Sequence, residues 1–389
     1  IIQEYEKKSA NEQQSTAKQY PNIITVVNET FADIKVLGDF KTNEDYMPYF
    51  HSLKKNCVTG YTYASIVGGQ TANTEFELLT GNTLGFLSAG TTAFQLYIHG
   101  QMPSLVSNLK AEGYSGNKAM HPFNPYNYNR PAVYKDFGFT DFIDKFDFPK
   151  NVKRVREYIS DEANVDRIIS EYEKNRKKTD QPFYMYNMTI QNHSPYDKDA
   201  ANFKQPIKIE SSKYDAEANR YLNLIKYSDD SLKQLTSYFE KCKEPTIILF
   251  LGDHQPRLTD EFMNKITNGQ YQTWSSEQMM KRYQVPFVIW ANYDIKEQHI
   301  EKTSMNYIQS ILTQTAGVKM TGYQRFLNEV RKEVPTITSQ GYWGKNGKFY
   351  QINDKGSPYY GIIQKYRMIQ YNMMFDKKNR RDSFFEVSK

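Results

Sequence analysis

The sequence predicts an α/β fold: a mostly parallel central sheet with helices on both faces, then a small C-terminal antiparallel sheet with a helix. Three observations carry this. Short, predominantly apolar runs such as "IITVV" and "TIILFLG" have the composition of strands buried on both faces. Amphipathic helical patterns alternate with them, as crossovers between parallel strands require. After Tyr323 the chain turns to short aromatic segments punctuated by Gly and Asn.

Residues 1–20 are polar, and "EYEKKSANEQQSTAKQ" (Glu4 to Gln19) reads as a stalk leading into the fold rather than as core. The first residue is Ile1, so the expectation is a fragment or processed form. "NIITVVNE" (Asn22 to Glu29) is a strand that ends on an acid. Met47 to Asn56 has a helical pattern. "VGGQTANTEF" places two glycines before Thr71 and a helix from about Ala72. Met102 to Tyr114 and Asp161 to Lys178 are further helices. "QPFYMYNMTIQNHSPY" (Gln181 to Tyr196) is a strand that delivers His193. Ala218 to Lys241 sets Leu222, Ile225, Leu232, Leu235 and Phe239 close to one stripe of a long helix. "PTIILFLGDHQP" (Pro245 to Pro256) is an apolar strand ending in Gly-Asp-His, and Val285 to Asn292 is a fourth strand. "GYWGKNGKFYQI" predicts a hairpin around Lys345-Asn346-Gly347, and "SPYYGIIQKYRMIQYNMMFD" a closing helix. The expected division is therefore a stalk (1–20), a main α/β domain (21–323) and a small C-terminal subdomain (324–389).

At 389 residues, 24% charged and 39% hydrophobic, the chain has the composition of a globular protein with an ordinary core. The net charge of +6 is spread out, with a mild concentration from Lys377 to Arg381. No basic stripe interleaved with aromatics points to nucleic acid. A mildly basic surface suits anionic phospholipid headgroups as well as plain solvation. Cys57 and Cys242 are too few for a disulfide scaffold and too far apart for a zinc knuckle. Both follow helical patterns expected to return to the amino edge of the sheet, which leaves free thiols or one bridge.

In open α/β sheets ligands bind beyond the carboxyl ends of the strands. Glu29, His193 and the pair Asp253-His254 all fall there, and Thr71 at its helix start can face the same edge. Carboxylates with an imidazole suit a divalent cation, and a hydroxyl held by that cation becomes a nucleophile. Plainer roles exist for each: Thr71 and Glu29 as helix caps, His193 as a turn residue. Gly-Asp-His is harder to explain so, because two ionisable groups in tandem after a buried strand are costly unless they bind something.

Five segments then carry a resemblance: "NIITVVNETF", "GGQTANTEF", "HPFNPYNYNRPAVYKDFGF", "IQNHSPY" and "LGDHQP", in that order. The chain resembles the lipoteichoic acid synthase family, membrane-anchored phosphoglycerol transferases of the sulfatase/alkaline-phosphatase superfamily. The resemblance implies a sulfatase-like catalytic domain over 21–323, with 1–20 a juxtamembrane stalk on the extracellular face of a bacterial membrane. It implies Glu29, Thr71, Asp253 and His254 as metal ligands, for Mn²⁺ with Zn²⁺ or Mg²⁺ as alternatives, and Thr71 as nucleophile. His193 would contact the transferred group and, with His121, move protons. His121, Tyr128, Asn129 and Arg130 would bind substrate, Arg130 as a charged fork on phosphate. The implied donor is phosphatidylglycerol at the membrane surface, and the acceptor a cell-wall polysaccharide or a glycerol-phosphate polymer. Tyr128 stands where the family has Trp, and Gln255-Pro256 is not the usual continuation after Gly-Asp-His in the main polymerases. The branch that decorates polysaccharides therefore fits at least as well, and the acceptor stays open. A phosphoethanolamine transferase or phosphodiesterase on the same fold, or an inactive glycopolymer-binding module, are the competing readings. No Cys/Ser-x-Pro-x-Arg motif surrounds Thr71, so a formylglycine sulfatase is not implied.

Overall fold

The apolar runs form the centre of one sheet. In the computed structural model, which describes residues 2–5, 19–210, 215–269 and 271–387, strand β1 (Asn22–Asn28) is buried along its whole length. Strand β7 (Phe183–Met188) and strand β8 (Thr246–Gly252) are equally buried and flank it, both parallel to it, with Ile24 opposite Met185 on one side and Ile248 on the other. Strands with no polar face need cover above and below, which the helices supply. The sheet is completed by β2 (Cys57–Tyr63), β3 (Ser115–Met120), β4 (Asp141–Ile143), β9 (Gln284–Ala291) and β10 (Gln298–Ser304). Its order is β10-β2-β9-β8-β1-β7-β3-β4. Only β9 runs against its neighbours, β8 and β2. The mostly parallel sheet that the sequence predicts is thus present.

Helix Asp161–Arg176 starts where the Ser160 hydroxyl accepts from Ala163 N–H, and helix Ala216–Phe239 where the Asp215 carboxylate accepts from Ala218 N–H. These two pack against each other. Helix Thr71–Thr80 packs against Met305–Thr315. The expected helix at Met102 shortens to Leu105–Ala111, capped by Ser104, and that at Met47 to the single turn Pro48–Ser52. The strand expected over Gln181 to Tyr196 stops at Met188, which leaves His193 on a loop.

Two antiparallel additions complete the fold: a hairpin of β5 (Arg154–Val155) and β6 (Tyr158–Ile159), and a C-terminal sheet of β11 (Thr336–Thr338), β12 (Gly341–Trp343) and β13 (Phe349–Tyr350). The predicted hairpin is β12–β13, with Gly344 N–H donating to the Lys348 carbonyl across the turn. The closing helix is Tyr360–Met374.

The structure adds detail at three of these places. The boundary at 323 falls inside the helix Gly322–Glu333, and Phe326, Leu327, Val330, Ile363 and Tyr366 join the core of the main domain. The polar leader is not wholly outside the core: residues 2–5 are helical and Tyr5 is buried edge-on against Phe326, ring centroids 5.1 Å apart. The rest of that leader up to residue 18 lies outside the described residues. Cys57 and Cys242 are both free. Their thiols turn to separate carbonyls, Lys55 at 3.0 Å and Tyr238 at 3.6 Å, so no bridge forms.

Candidate functional site

The site is built where β1, β2, β7 and β8 end. Glu29 follows β1, and Asp253 and His254 follow β8, its neighbour in register. All three are buried, and each offers a ligand atom within 4.8 Å of the others. His254 Nε2 is 3.2 Å from Asp253 Oδ2 and 3.8 Å from Glu29 Oε1. The His254 Nδ1–H points at the Gln255 carbonyl, 3.0 Å away, which leaves Nε2 with its lone pair. Asp253 Oδ1 is used up by the N–H groups of Thr30 and His254, at 2.7 and 2.8 Å. Asp253 Oδ2 and His254 Nε2 are left buried without hydrogen-bond partners, side by side. Orphaned acceptors of this kind fit a bound divalent cation, which would satisfy both at once. Burial, followed by the charge of Asp253, pushes the Glu29 carboxyl well above its usual range; the nearby Arg130 charge pulls the other way.

Thr71 reaches this cluster from β2. The chain turns through left-handed conformations at Gly68, Gly69 and Gln70 (φ +68°, +148° and +63°) and enters the helix Thr71–Thr80. Gln70 is the N-cap, with no side-chain capping bond. Thr71 is therefore not the cap. Its hydroxyl instead donates to Glu29 Oε2 at 3.4 Å. A cavity of about 450 Å³ opens beside this turn, walled by Gly69, Gln70, Asn73, Arg257 and Gln340.

The remaining expected residues divide. His121 follows β3, is buried, and its Nδ1–H faces the Met188 carbonyl at 2.9 Å. Burial, then the Arg130 charge, holds its pKa well below the usual histidine range, so the ring is neutral at pH 7. His193 Nδ1–H is tied to the Ser194 carbonyl at 2.7 Å, and the ring lies between Phe123 and Tyr158, at 6.4 and 5.8 Å between centroids. Arg130 is 1% exposed. One edge of its guanidinium is held by Glu75: Nε and Nη2 both donate to Glu75 Oε1, at 3.1 and 2.6 Å. What it presents to the site is a buried positive charge, covered by the Tyr128 ring 5.2 Å from its guanidinium carbon. Asn129 is exposed at the left-handed turn before the helix Arg130–Phe137, with no side-chain cap bond.

Other residues that hold the site were not evident from the sequence. Glu75 anchors Arg130 and also accepts from the hydroxyls of Tyr134 and Tyr186, at 2.5 and 3.1 Å. Its position four residues after Thr71, on the same helix face, was the available signal. Glu29 is fixed from behind: its N–H donates to Thr189 Oγ1 at 3.0 Å, and Asn192 Nδ2 donates to its carbonyl at 3.0 Å. Asn28 and Ser228 donate in turn to the buried Asp161 carboxylate, at 2.7 and 2.6 Å. Arg156 clamps the His193 loop, donating to the carbonyls of Gln191, His193 and Pro195 at 2.7–2.8 Å.

Comparison with known proteins agrees with this architecture. The family model described as Sulfatase matches residues 21–318. A protein assigned to cyclic beta-1,2-glucan modification in Rhizobium meliloti (strain 1021) is 30% identical over 380 residues, 96% of this chain and 57% of its own length. The chain thus spans a little over half of that relative. Streptococcus pyogenes phosphoglycerol transferase GacH, solved in complex with sn-glycerol-1-phosphate, superposes with a TM-score of 0.77 over all of this chain and 95% of its own, at 20% identity. The lipoteichoic acid synthase LtaP from Listeria monocytogenes superposes with a TM-score of 0.69 over 96% of this chain and 98% of its own, at 19% identity. With the fold shared across the whole chain and the family model covering Glu29, Thr71, His193, Asp253 and His254, the chain belongs to the sulfatase family.

Proposed function

We propose that the chain transfers glycerol phosphate from phosphatidylglycerol to a glycan of the cell envelope, by way of a glycerophosphoryl-threonine at Thr71. The observation that carries this is the buried cluster of Glu29, Asp253 and His254, with two orphaned acceptors and the Thr71 hydroxyl on its rim. Such a cluster is costly to bury for packing alone. Glu29, Thr71, Asp253 and His254 would hold the cation, Mn²⁺ on the ligand types, with Zn²⁺ or Mg²⁺ as alternatives. When bound, the cation lowers the pKa of the hydroxyl it touches and offsets phosphoryl charge.

Thr71 Oγ attacks phosphorus, and the bond to the diacylglycerol oxygen breaks. His193 and His121 pass the proton that Thr71 gives up to that departing oxygen. In the second half an acceptor hydroxyl attacks the same phosphorus, the bond to Thr71 breaks, and the acceptor's proton returns to Thr71 by the same path. The free N–H groups at the start of the helix Thr71–Thr80 and the Arg130 charge favour the phosphoryl group. Tyr128 and Asn129, on the turn above Arg130, border the glycerol headgroup.

Among the described residues no helix is long and apolar enough to cross a membrane. Contact with a lipid surface, on the extracellular face, is supported instead by exposed Leu96, Tyr371 and Phe375, next to the basic run from Lys377 to Arg381. A glucan acceptor is supported by the Rhizobium relative, which matches 96% of this chain.

The test supplies Mn²⁺, a β-glucan oligosaccharide, and vesicles with headgroup-labelled phosphatidylglycerol or phosphatidylethanolamine. Label is expected on the glycan only from phosphatidylglycerol, with glycerophosphate mass on the Thr71 peptide when acceptor is withheld. Movement of ethanolamine phosphate instead would replace this reading with the competing transferase.

A further inference from the structure

A second recess adjoins the site on the side away from the Gly68–Gln70 turn. It has a volume of about 540 Å³ and lies between the loop after β3, the turn after β4, and the β5–β6 hairpin. That volume is within the roughly 300–1,000 Å³ of cavities that enclose a compact organic ligand. Phe123, Phe146 and Tyr158 supply its aromatic walls, and Lys145, Lys150 and Arg154 its cations. Glu157 is the carboxylate of the lining.

The recess is joined to the site by shared rings. Phe123 stacks on His193 at an interplanar angle of 20°, and Tyr158 packs on both, its centroid 6.0 Å from that of Phe123. Phe146 stands at the mouth, 74% exposed. Its backbone is fixed: the Asp144 carboxylate accepts from its N–H at 2.7 Å, and Asp144 N–H donates to Asp147 at 2.9 Å, which holds the turn. Lys145 Nζ sits 5.0 Å from the Phe146 centroid and 5.8 Å from that of Phe123, bridging the two rings. Lys150 is exposed, and neither lysine makes an ion pair among the described residues. Arg154 has one nitrogen on the Glu157 carbonyl at 2.9 Å.

We propose that this recess is a subsite for the acceptor glycan: sugar rings lie on Phe123, Phe146 and Tyr158, and a glycerol-phosphate group already on the glycan meets Lys145, Lys150 and Arg154. This rests on the function proposed above. A pyranose ring has a C–H face that packs on an aromatic ring and a hydroxyl rim that needs polar partners. Alternating rings and charged side chains meet both needs. An acyl chain would leave the cations desolvated without partners, and a lipid surface is met by protruding side chains rather than by a concavity. The ring wall shared with His193 places a glycan held here with its next sugar hydroxyls towards Thr71. The consequence is a preference for acceptors that already carry the substituent.

Direct binding tests this without turnover. Unsubstituted and glycerophosphorylated β-glucan oligosaccharides are titrated into the full 389-residue chain and followed by calorimetry. The wild-type protein is expected to bind the substituted glycan at least about tenfold more tightly, with a preference that weakens as salt rises. Phe146→Ala is expected to weaken both glycans about tenfold. Lys145→Ala combined with Lys150→Ala should remove the preference and leave the unsubstituted glycan bound. Unchanged affinities in both variants at unchanged melting temperature would overturn the proposal. So would loss of binding to phosphatidylglycerol vesicles with glycan binding intact, which would assign the recess to lipid. Release of diacylglycerol from short-chain phosphatidylglycerol by the wild-type protein is measured separately. Its failure would remove the proposed reaction, while glycan binding would still decide the recess.

Discussion

Thr71 and Glu77 are both buried on one helix and differ in what their oxygens meet. The Thr71 hydroxyl satisfies no backbone group and touches only the Glu29 carboxylate. Thr71→Ala removes one buried hydrogen bond and is therefore expected to cost about 1 kcal/mol of stability, while headgroup transfer stops; Thr71→Ser should retain part of it. Melting temperature and turnover on one preparation check this, and near-normal turnover in the Ala variant would end the nucleophile proposal. Glu77 is wholly buried, its Oε1 accepting from Ser65, Thr83 and the Leu84 N–H at 2.7–3.3 Å. Burial raises its pKa from 4.5 to about 7. Since the folded value lies above the unfolded one, its stabilising contribution is complete below pH 4.5 and is lost as pH rises to about 7. The full loss is roughly 3 kcal/mol at most. Glu77→Gln keeps an acceptor oxygen and cannot ionise. Its urea midpoint, relative to wild type, is expected to rise between pH 4.5 and 7 and to stay level above that; a pH-independent difference would mean that Glu77 titrates alike in the folded and unfolded chain.

At the scale of elements, the two strand ends that carry the cation ligands are held at contact distance. A Cβ on Gly252, the last residue of β8, would sit 1.8 Å from the Phe31 carbonyl oxygen. Gly252→Ala must push the turn after β1 away from Asp253, so a loss of about 1–3 kcal/mol is expected, together with weaker Mn²⁺ binding by calorimetry. Mn²⁺ affinity equal to wild type would show that the two turns move together. The same elements show what could be read from sequence. β1, β7 and β8 announce themselves because burial on both faces allows only apolar residues, and the site residues follow because strand ends are where an acid or histidine needs a reason. β3 (Ser-Gly-Asn-Lys-Ala-Met) and β10 (Gln-His-Ile-Glu-Lys-Thr-Ser) stayed hidden, since strands towards the sheet margins tolerate polar residues. Glu75 was hidden for another reason. Its partners, Arg130, Tyr134 and Tyr186, come from 55 to 111 residues away, and no local pattern encodes such a meeting. The same distance hid the hold of Glu75 on Arg130.

Over the whole molecule, the C-terminal segment is part of the support for the Thr71 helix. The hydroxyls of Tyr323 and Tyr366 both donate to the Gly81 carbonyl, at 2.8 and 2.5 Å, and Gln370 bonds the backbone of Thr83 in both directions. Ser339 donates to the Ser65 carbonyl at 2.8 Å, on the approach to the Gly68–Gln70 turn. A chain ending at residue 323 is expected to lose its cooperative melting transition; a sharp transition would show an independent domain. The free cysteines sit at the far end of the same molecule. Cys57 opens β2 and Cys242 comes just before β8, so both lie at the amino ends of strands whose carboxyl ends build the site. Cys57 is 1% exposed and burial raises its thiol pKa to about 12, whereas Cys242 is half-buried. A maleimide dye should therefore add once to the native protein and twice after unfolding, as counted by intact mass. The natural sequence then supplies a single attachment point on the face opposite Thr71, by which the protein can be tethered to a bead or a sensor chip with its working edge turned towards a lipid film.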